Sequence, residues 1–128
     1  MVEGRCNCGK VHFHVERIKE AITVCHCSLC RRMSGHLWAG AYSPQFDALR
    51  FTENEGLTWY ASSDFAKRGF CKFCGSSLFF RLNDKAGVMI AAGCLQAPLP
   101  AKVGKHIFVK DKGDYYEIGD GAPQIQRY

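Results

Sequence analysis

Phe70-Cys71-Lys72-Phe73-Cys74-Gly75 is the stretch from which the fold can be read. Two cysteines separated by two residues and closed by a glycine have the spacing of a zinc knuckle: the tight turn brings both sulfurs to one ion, and the glycine supplies the left-handed conformation that ends it. Phe65 to Phe70 leads in with strand character and Ser77 to Leu82 leads out with the same, giving strand, knuckle, strand. Such a knuckle is half a metal site. Its other half must come from elsewhere in the chain.

The natural complement is Cys6-Asn7-Cys8-Gly9. In a continuous strand Cys6 and Cys8 would point to opposite faces, so the Asn and Gly are read as a turn that lets the two sulfurs converge. Pairing the beginning of the chain with its middle predicts a closed four-thiolate zinc, on Cys6, Cys8, Cys71 and Cys74, that staples a small sheet. A third cluster, Cys25-His26-Cys27-Ser28-Leu29-Cys30-Arg31-Arg32, packs three sulfurs into six residues and has no obvious fourth cysteine beside it. Three protein ligands leave a zinc one corner for water or substrate. Cys94 stands alone in an apolar run and reads as a small core residue or as a ligand or reactive thiol near that site. His26, between two candidate ligands, reads either as a packed or supporting histidine or as a ligand itself.

Around these clusters the pattern is mainly β. Val11, Phe13 and Val15 alternate with His12 and His14, so the two histidines share the face opposite the apolar one. Ala21 to Cys25, Leu49 to Thr52, Leu57 to Ala61, Val88 to Ala92, His106 to Lys110 and Tyr115 to Ile118 read as further strands, with Pro98 and Pro100 marking a loop. One short helix is expected, Leu29 to Ser34, with Ser28 as its cap and Gly35 as its left-handed stop. A chain of 128 residues that is 47% hydrophobic can bury one ordinary core, which predicts a single domain over residues 1–128.

Seven of the eight cysteines lie in close clusters, which favours metal over disulfides and a reducing, cytoplasmic setting. No segment approaches the ~20 apolar residues needed to span a bilayer. The formal charge of +5 invites nucleic acid, but seven thiolates and two zinc ions would bring it to about +2, and the basic residues form no stripe. Neither a nucleic acid nor a membrane is therefore expected as partner.

The three clusters, in this order and spacing, resemble the glutathione-dependent formaldehyde-activating enzyme family, which includes the centromere protein V type domains. The matching residues are Cys6 to Gly9, Cys25 to Arg31 and Phe70 to Gly75, with weaker matches at Gly4, Ser34-Gly35, Tyr60-Ala61-Ser62 and Asp120-Gly121-Ala122-Pro123. The resemblance implies a β-tent fold of short antiparallel sheets, a structural zinc on Cys6, Cys8, Cys71 and Cys74, and a catalytic zinc on Cys25, Cys27 and Cys30. It also implies carbon–sulfur lyase chemistry, in the type case on S-(hydroxymethyl)glutathione, formed from or returned to formaldehyde and glutathione. Arg31 and Arg32 are placed to supply a positive field or to clamp a carboxylate, or in the case of Arg32 simply to be solvated. Trp38 and His36 could wall the pocket, although a Trp in a strand is as readily core. The competing reading is a zinc-stapled binding module with both metals structural.

Overall fold

A computed structural model describes all residues, 1–128, and its regular structure is mainly short strands. In chain order they are β1 (Val2–Arg5), β2 (His12–Val15), β3 (Ala21–Cys25), helix α1 (Ser28–Ser34), β4 (Trp38–Ser43), β5 (Arg50–Glu53), β6 (Leu57–Tyr60), β7 (Ala66–Cys71), β8 (Ser77–Leu82), β9 (Val88–Ala91) and β10 (Lys102–Ile107). Three of them form a small sheet in the order β1-β2-β5, and seven form a larger one in the order β10-β3-β4-β9-β8-β7-β6. All pairings are antiparallel except β10 on β3. No helix is long and apolar enough to cross a membrane.

The period-two pattern of β2 places Phe13 and Val15 inward, both wholly buried, and leaves His12 and His14 half-buried on the outer face. Phe13 meets Phe79 of the larger sheet at 5.1 Å between ring centres, and Phe46, Phe51 and Trp59 close around Phe79. This aromatic layer joins the two sheets. Removing one such ring leaves a cavity that typically costs about 3–5 kcal/mol. Gly4 on β1 is part of the same packing, because a Cβ there would sit 2.3 Å from the Phe13 ring.

The structure departs from the sequence expectations at three places. Val2–Arg5 is a strand that the pattern concealed, since Gly4 yields its inward position to Phe13 rather than contributing a side chain. The strand expected over His106 to Lys110 lies earlier, at Lys102–Ile107, and the chain then turns through Phe108, in a left-handed conformation (φ 54°), into a 3-10 turn at Val109–Asp111. Tyr115 to Ile118 forms no strand. Its aromatic residues serve the cysteine site instead.

The closing segment runs back along β10. Ile125 N–H donates to the carbonyl of His106, His106 N–H to that of Pro123 and Val109 N–H to that of Ile125. These bonds partner backbone groups at the edge of the larger sheet, which would otherwise invite pairing with another chain. They also hold residues 112–120 over the end of β3, where Cys25 lies.

Candidate metal centres

The turn between β1 and β2 brings Cys6 and Cys8 against Cys71 and Cys74, and the four sulfurs lie within 4.8 Å of one another. Cys8 is 3.7 Å from both Cys6 and Cys71. The two halves are built alike in that Gly9 and Gly75 both adopt positive φ (84° and 80°). Val11 N–H donates to Cys6 Sγ at 3.2 Å, and Gly75 N–H donates to the Cys71 carbonyl at 2.7 Å. Gly56 seals the group from the side, since a Cβ there would stand 2.7 Å from Cys71 Sγ. The bonds Gly56 N–H to Lys10 O and Lys72 N–H to Gly56 O (both 2.8 Å) tie all three loops into one knot. Cys6 and Cys71 are buried among the main core residues.

Cys25, Cys27 and Cys30 form a second group, again with all sulfurs within 4.8 Å, and no His, Asp, Glu or fourth Cys joins it. Cys25 ends β3, Cys27 caps α1 and Cys30 lies in its first turn. The cap is Cys27 rather than Ser28: its Sγ accepts from Cys30 N–H at 3.3 Å, and Ser28 becomes the first helical residue. Gly35 ends the helix in the left-handed conformation as expected. Hydrogen bonds from Cys25 and Cys30 hold the Cys27 thiol down to about 2, and its bond to Cys27 pushes the Cys25 thiol up. Three thiols so crowded cannot each ionise unaided. A divalent cation removes that conflict by taking all three as thiolates.

The buried cation at this site comes from a residue that sequence reasoning passed over. Arg68 of β7 is 5% exposed and donates from Nη2 to Cys30 Sγ at 3.3 Å. Its guanidinium stacks on Phe80 (5.0 Å) and Trp38 (5.9 Å), and Nε and Nη1 are buried with no partner. A guanidinium taken out of water costs several kcal/mol unless an anion faces it. Three thiolates around a dipositive ion would carry net −1 and would supply that anion. The one available sequence signal was spacing: Arg68 falls two residues from the inward Ala66 on the strand that delivers Cys71. Arg31 donates from Nε to the Asp111 carbonyl at 3.2 Å, and Arg32 is exposed.

His26 is wholly buried with both ring nitrogens engaged, so it supports the site from behind. Asp120 Oδ2 lies 2.8 Å from His106 Nε2, His106 Nδ1 is 2.8 Å from His26 Nε2, and His26 Nδ1 is 2.7 Å from Tyr116 Oη. The carboxylate must accept, and with both rings neutral every proton follows in turn: His106 Nε2–H donates to Asp120, His26 Nε2–H to His106 Nδ1, and Tyr116 O–H to His26 Nδ1. Gly113 N–H then donates to Tyr116 Oη at 3.2 Å. Burial first, then the adjacent His106, pushes His26 down to about 4, so the ring is neutral as this chain of bonds requires. The N–H of Ala122, then His106, holds Asp120 below the ordinary carboxylate range. Lys112 bonds the carbonyls of Gly113 and Tyr116, and Tyr115 Oη meets His36 Nδ1 at 2.7 Å. The closing segment is thereby fastened to the cysteine turn through His26. Neither His106 nor Tyr116 was legible as a partner of His26, because 80 and 90 residues separate them from it.

An open cleft of about 470 Å³ is lined by Cys6 of the four-cysteine group with Asn7, Ser76, Ser77, Ala91 and Cys94, among others. Ala91 packs with Cys30 and Trp38, and Cys94 touches the same cluster. Trp38 is buried and donates from Nε1 to Ser77 Oγ at 3.0 Å, so it serves as core and wall at once. Burial pushes the Cys94 thiol up to about 12, which keeps it protonated and poorly nucleophilic.

Residues 1–111 match the family model described as glutathione-dependent formaldehyde-activating enzyme. The chain is 30% identical over 122 residues to an uncharacterised lyase of Schizosaccharomyces pombe, covering 92% of this chain and 85% of that one. It is 28% identical over 130 residues to a candidate glutathione-dependent formaldehyde-activating enzyme of Halomonas elongata, covering 92% and 81%. A Rhodobacter sphaeroides protein of known crystal structure superposes with a TM-score of 0.60 at 27% identity, over 79% of this chain and 96% of that one.

Proposed function

Because the chain belongs to the glutathione-dependent formaldehyde-activating enzyme family, we propose that it is a zinc-dependent carbon–sulfur lyase acting on glutathione or another thiol adduct, of the S-(hydroxymethyl)glutathione type. The observation that carries this reading is the three-sulfur group without a fourth protein donor, lying against a buried guanidinium. Cys25, Cys27 and Cys30 would hold the catalytic zinc, and Cys6, Cys8, Cys71 and Cys74 a structural one. When bound, the catalytic ion supplies a site that keeps a substrate thiol ionised at neutral pH or polarises a carbonyl oxygen.

The chain's own residues do the rest. Arg68 balances the negative charge of the cysteine group and keeps it compact. Trp38 and Ala91 exclude water from one side of the site. The cleft has the size of an ordinary small-molecule pocket, and its wall residue Ala91 packs on Cys30, so the body of a tripeptide thiol could lie there. Arg31 acts as a positioning residue: it fastens Asp111 and so the start of the closing segment, and its other N–H groups are available to clamp a substrate carboxylate. The alternative, a binding module with two structural metals, needs a fourth donor at the second group, and neither Cys94 nor His26 stands within reach as one.

Native mass spectrometry with and without glutathione tests the proposal. Two zinc ions per chain, one of them lost in Cys25→Ser with the domain still folded, and a glutathione adduct seen only when both are present, are expected. One zinc per chain and no glutathione-dependent mass shift would overturn it.

A further inference from the structure

His12 and His14 play no part in either cysteine group, yet they and Glu3 converge on the outer face of the small sheet. The ligating atoms of the three residues lie within 4.8 Å of one another. We propose that Glu3, His12 and His14 form a third metal site, for an exchangeable zinc-like divalent ion, on the hairpin whose turn carries Cys6 and Cys8.

The backbone sets the arrangement. His12 and His14 are two apart on β2 and so share a face, with ring centres 5.3 Å apart, and Glu3 of β1 is the direct cross-strand partner of His14. Two imidazoles and a carboxylate are a donor set that suits zinc and its neighbours in the transition series, with positions left open for water. Donors bound at ~2.0–2.2 Å from one ion stand ~3.3–3.6 Å apart, a spacing reachable from here by side-chain rotation alone.

The contacts of His12 support the assignment. Thr52 Oγ1 stands 2.9 Å from His12 Nδ1 and 3.3 Å from the His12 carbonyl, and so holds the ring from behind. Nε2 is thereby aimed at the Glu3 carboxylate, 2.5 Å away. A proton on Nε2 bridges this pair, and a divalent ion binding there takes its place while Nδ1–H donates to Thr52. A ligating histidine held through its other N–H by a neighbouring oxygen is the arrangement that orients metal sites. The charged neighbours are turned elsewhere. Arg5 bonds the carbonyls of Cys6 and Asn7, Arg50 reaches Met1 Sδ at 3.3 Å, and Glu53 accepts from Glu55 N–H.

Titration of the zinc-loaded protein with Zn²⁺, followed by calorimetry and native mass spectrometry, tests this directly. A third ion per chain is expected, with the imidazole nitrogen resonances of His12 and His14 shifting while those of His26 and His106 stay in place. The double variant His12→Gln, His14→Gln should lose the third ion and keep those held by cysteine, and Thr52→Val should weaken it about tenfold. No third ion in the wild-type protein, or an undiminished third ion in the double variant, would overturn the proposal. The nitrogen shifts need no variant, so a folding defect cannot mask the outcome.

Discussion

The two cysteine groups are made of the same side chain and differ in everything that surrounds it. The four-cysteine group draws its halves from positions 63 residues apart, as Cys8 and Cys71 show, and is knotted by backbone hydrogen bonds from three loops. The three-cysteine group comes from a single turn and is flanked by an aromatic wall and a buried arginine. Closing a long loop restricts the unfolded chain, whereas closing a turn of six residues restricts little. The first arrangement is suited to holding the fold together and the second to presenting an ion. Identical donors are thus set in two different frames, and the difference lies in sequence separation and in the number of sulfurs, four against three.

Breaking the first group should have the largest effect. Cys71→Ser removes a ligand of an ion whose binding in small zinc domains is worth on the order of 10 kcal/mol, comparable with the whole stability of a domain. Loss of cooperative unfolding by circular dichroism, or insoluble expression, is the expected result. Cys25→Ser should leave the thermal transition nearly in place while lyase turnover drops at least about a hundredfold, so that one comparison of melting curves separates the two groups.

Arg68 sharpens the contrast, because the closed group has no such residue. Arg68→Met should release zinc from the three-cysteine group to a chelator about 10–100 times more readily, without altering the four-cysteine ion. Arg68→Lys should recover part of the loss, since it restores the charge but not the planar stacking on Phe80. Colorimetric zinc release in two kinetic phases reads both ions at once. Smaller still is Tyr116→Phe, which leaves His26 Nδ1 buried without its donor and should cost about 1–3 kcal/mol by chemical denaturation. Cys94→Ala should change activity least, because a thiol held protonated by burial takes no part.

The division of the cysteines was legible because spacing is a local property. Two knuckles closed by glycine announce themselves, and Gly9 and Gly75 take the left-handed conformation that their position demands. The mainly β class was legible for the same reason, from period-two runs such as Val11 to Val15. What the sequence concealed is long-range. Arg68 is one of many basic residues until β7 and β8 turn it toward Cys30. Asp120, His106 and Tyr116 have no common signature until the closing segment folds back along β10. The tyrosines at 115 and 116 look like strand residues by propensity, and tertiary hydrogen bonding to His36 and His26 overrides that preference.

The central claim is that one metal group is closed and the other open, and X-ray absorption at the zinc edge of the fully loaded protein tests it most directly. With two zinc ions per chain, both on cysteine and none on the outer-face histidines, the account predicts an average of about 3.5 sulfur ligands per zinc, rising to about 4 when glutathione is added, because only the three-cysteine ion has a corner to give. Four sulfurs per zinc before any thiol is added, or a value that glutathione leaves unchanged, would contradict it.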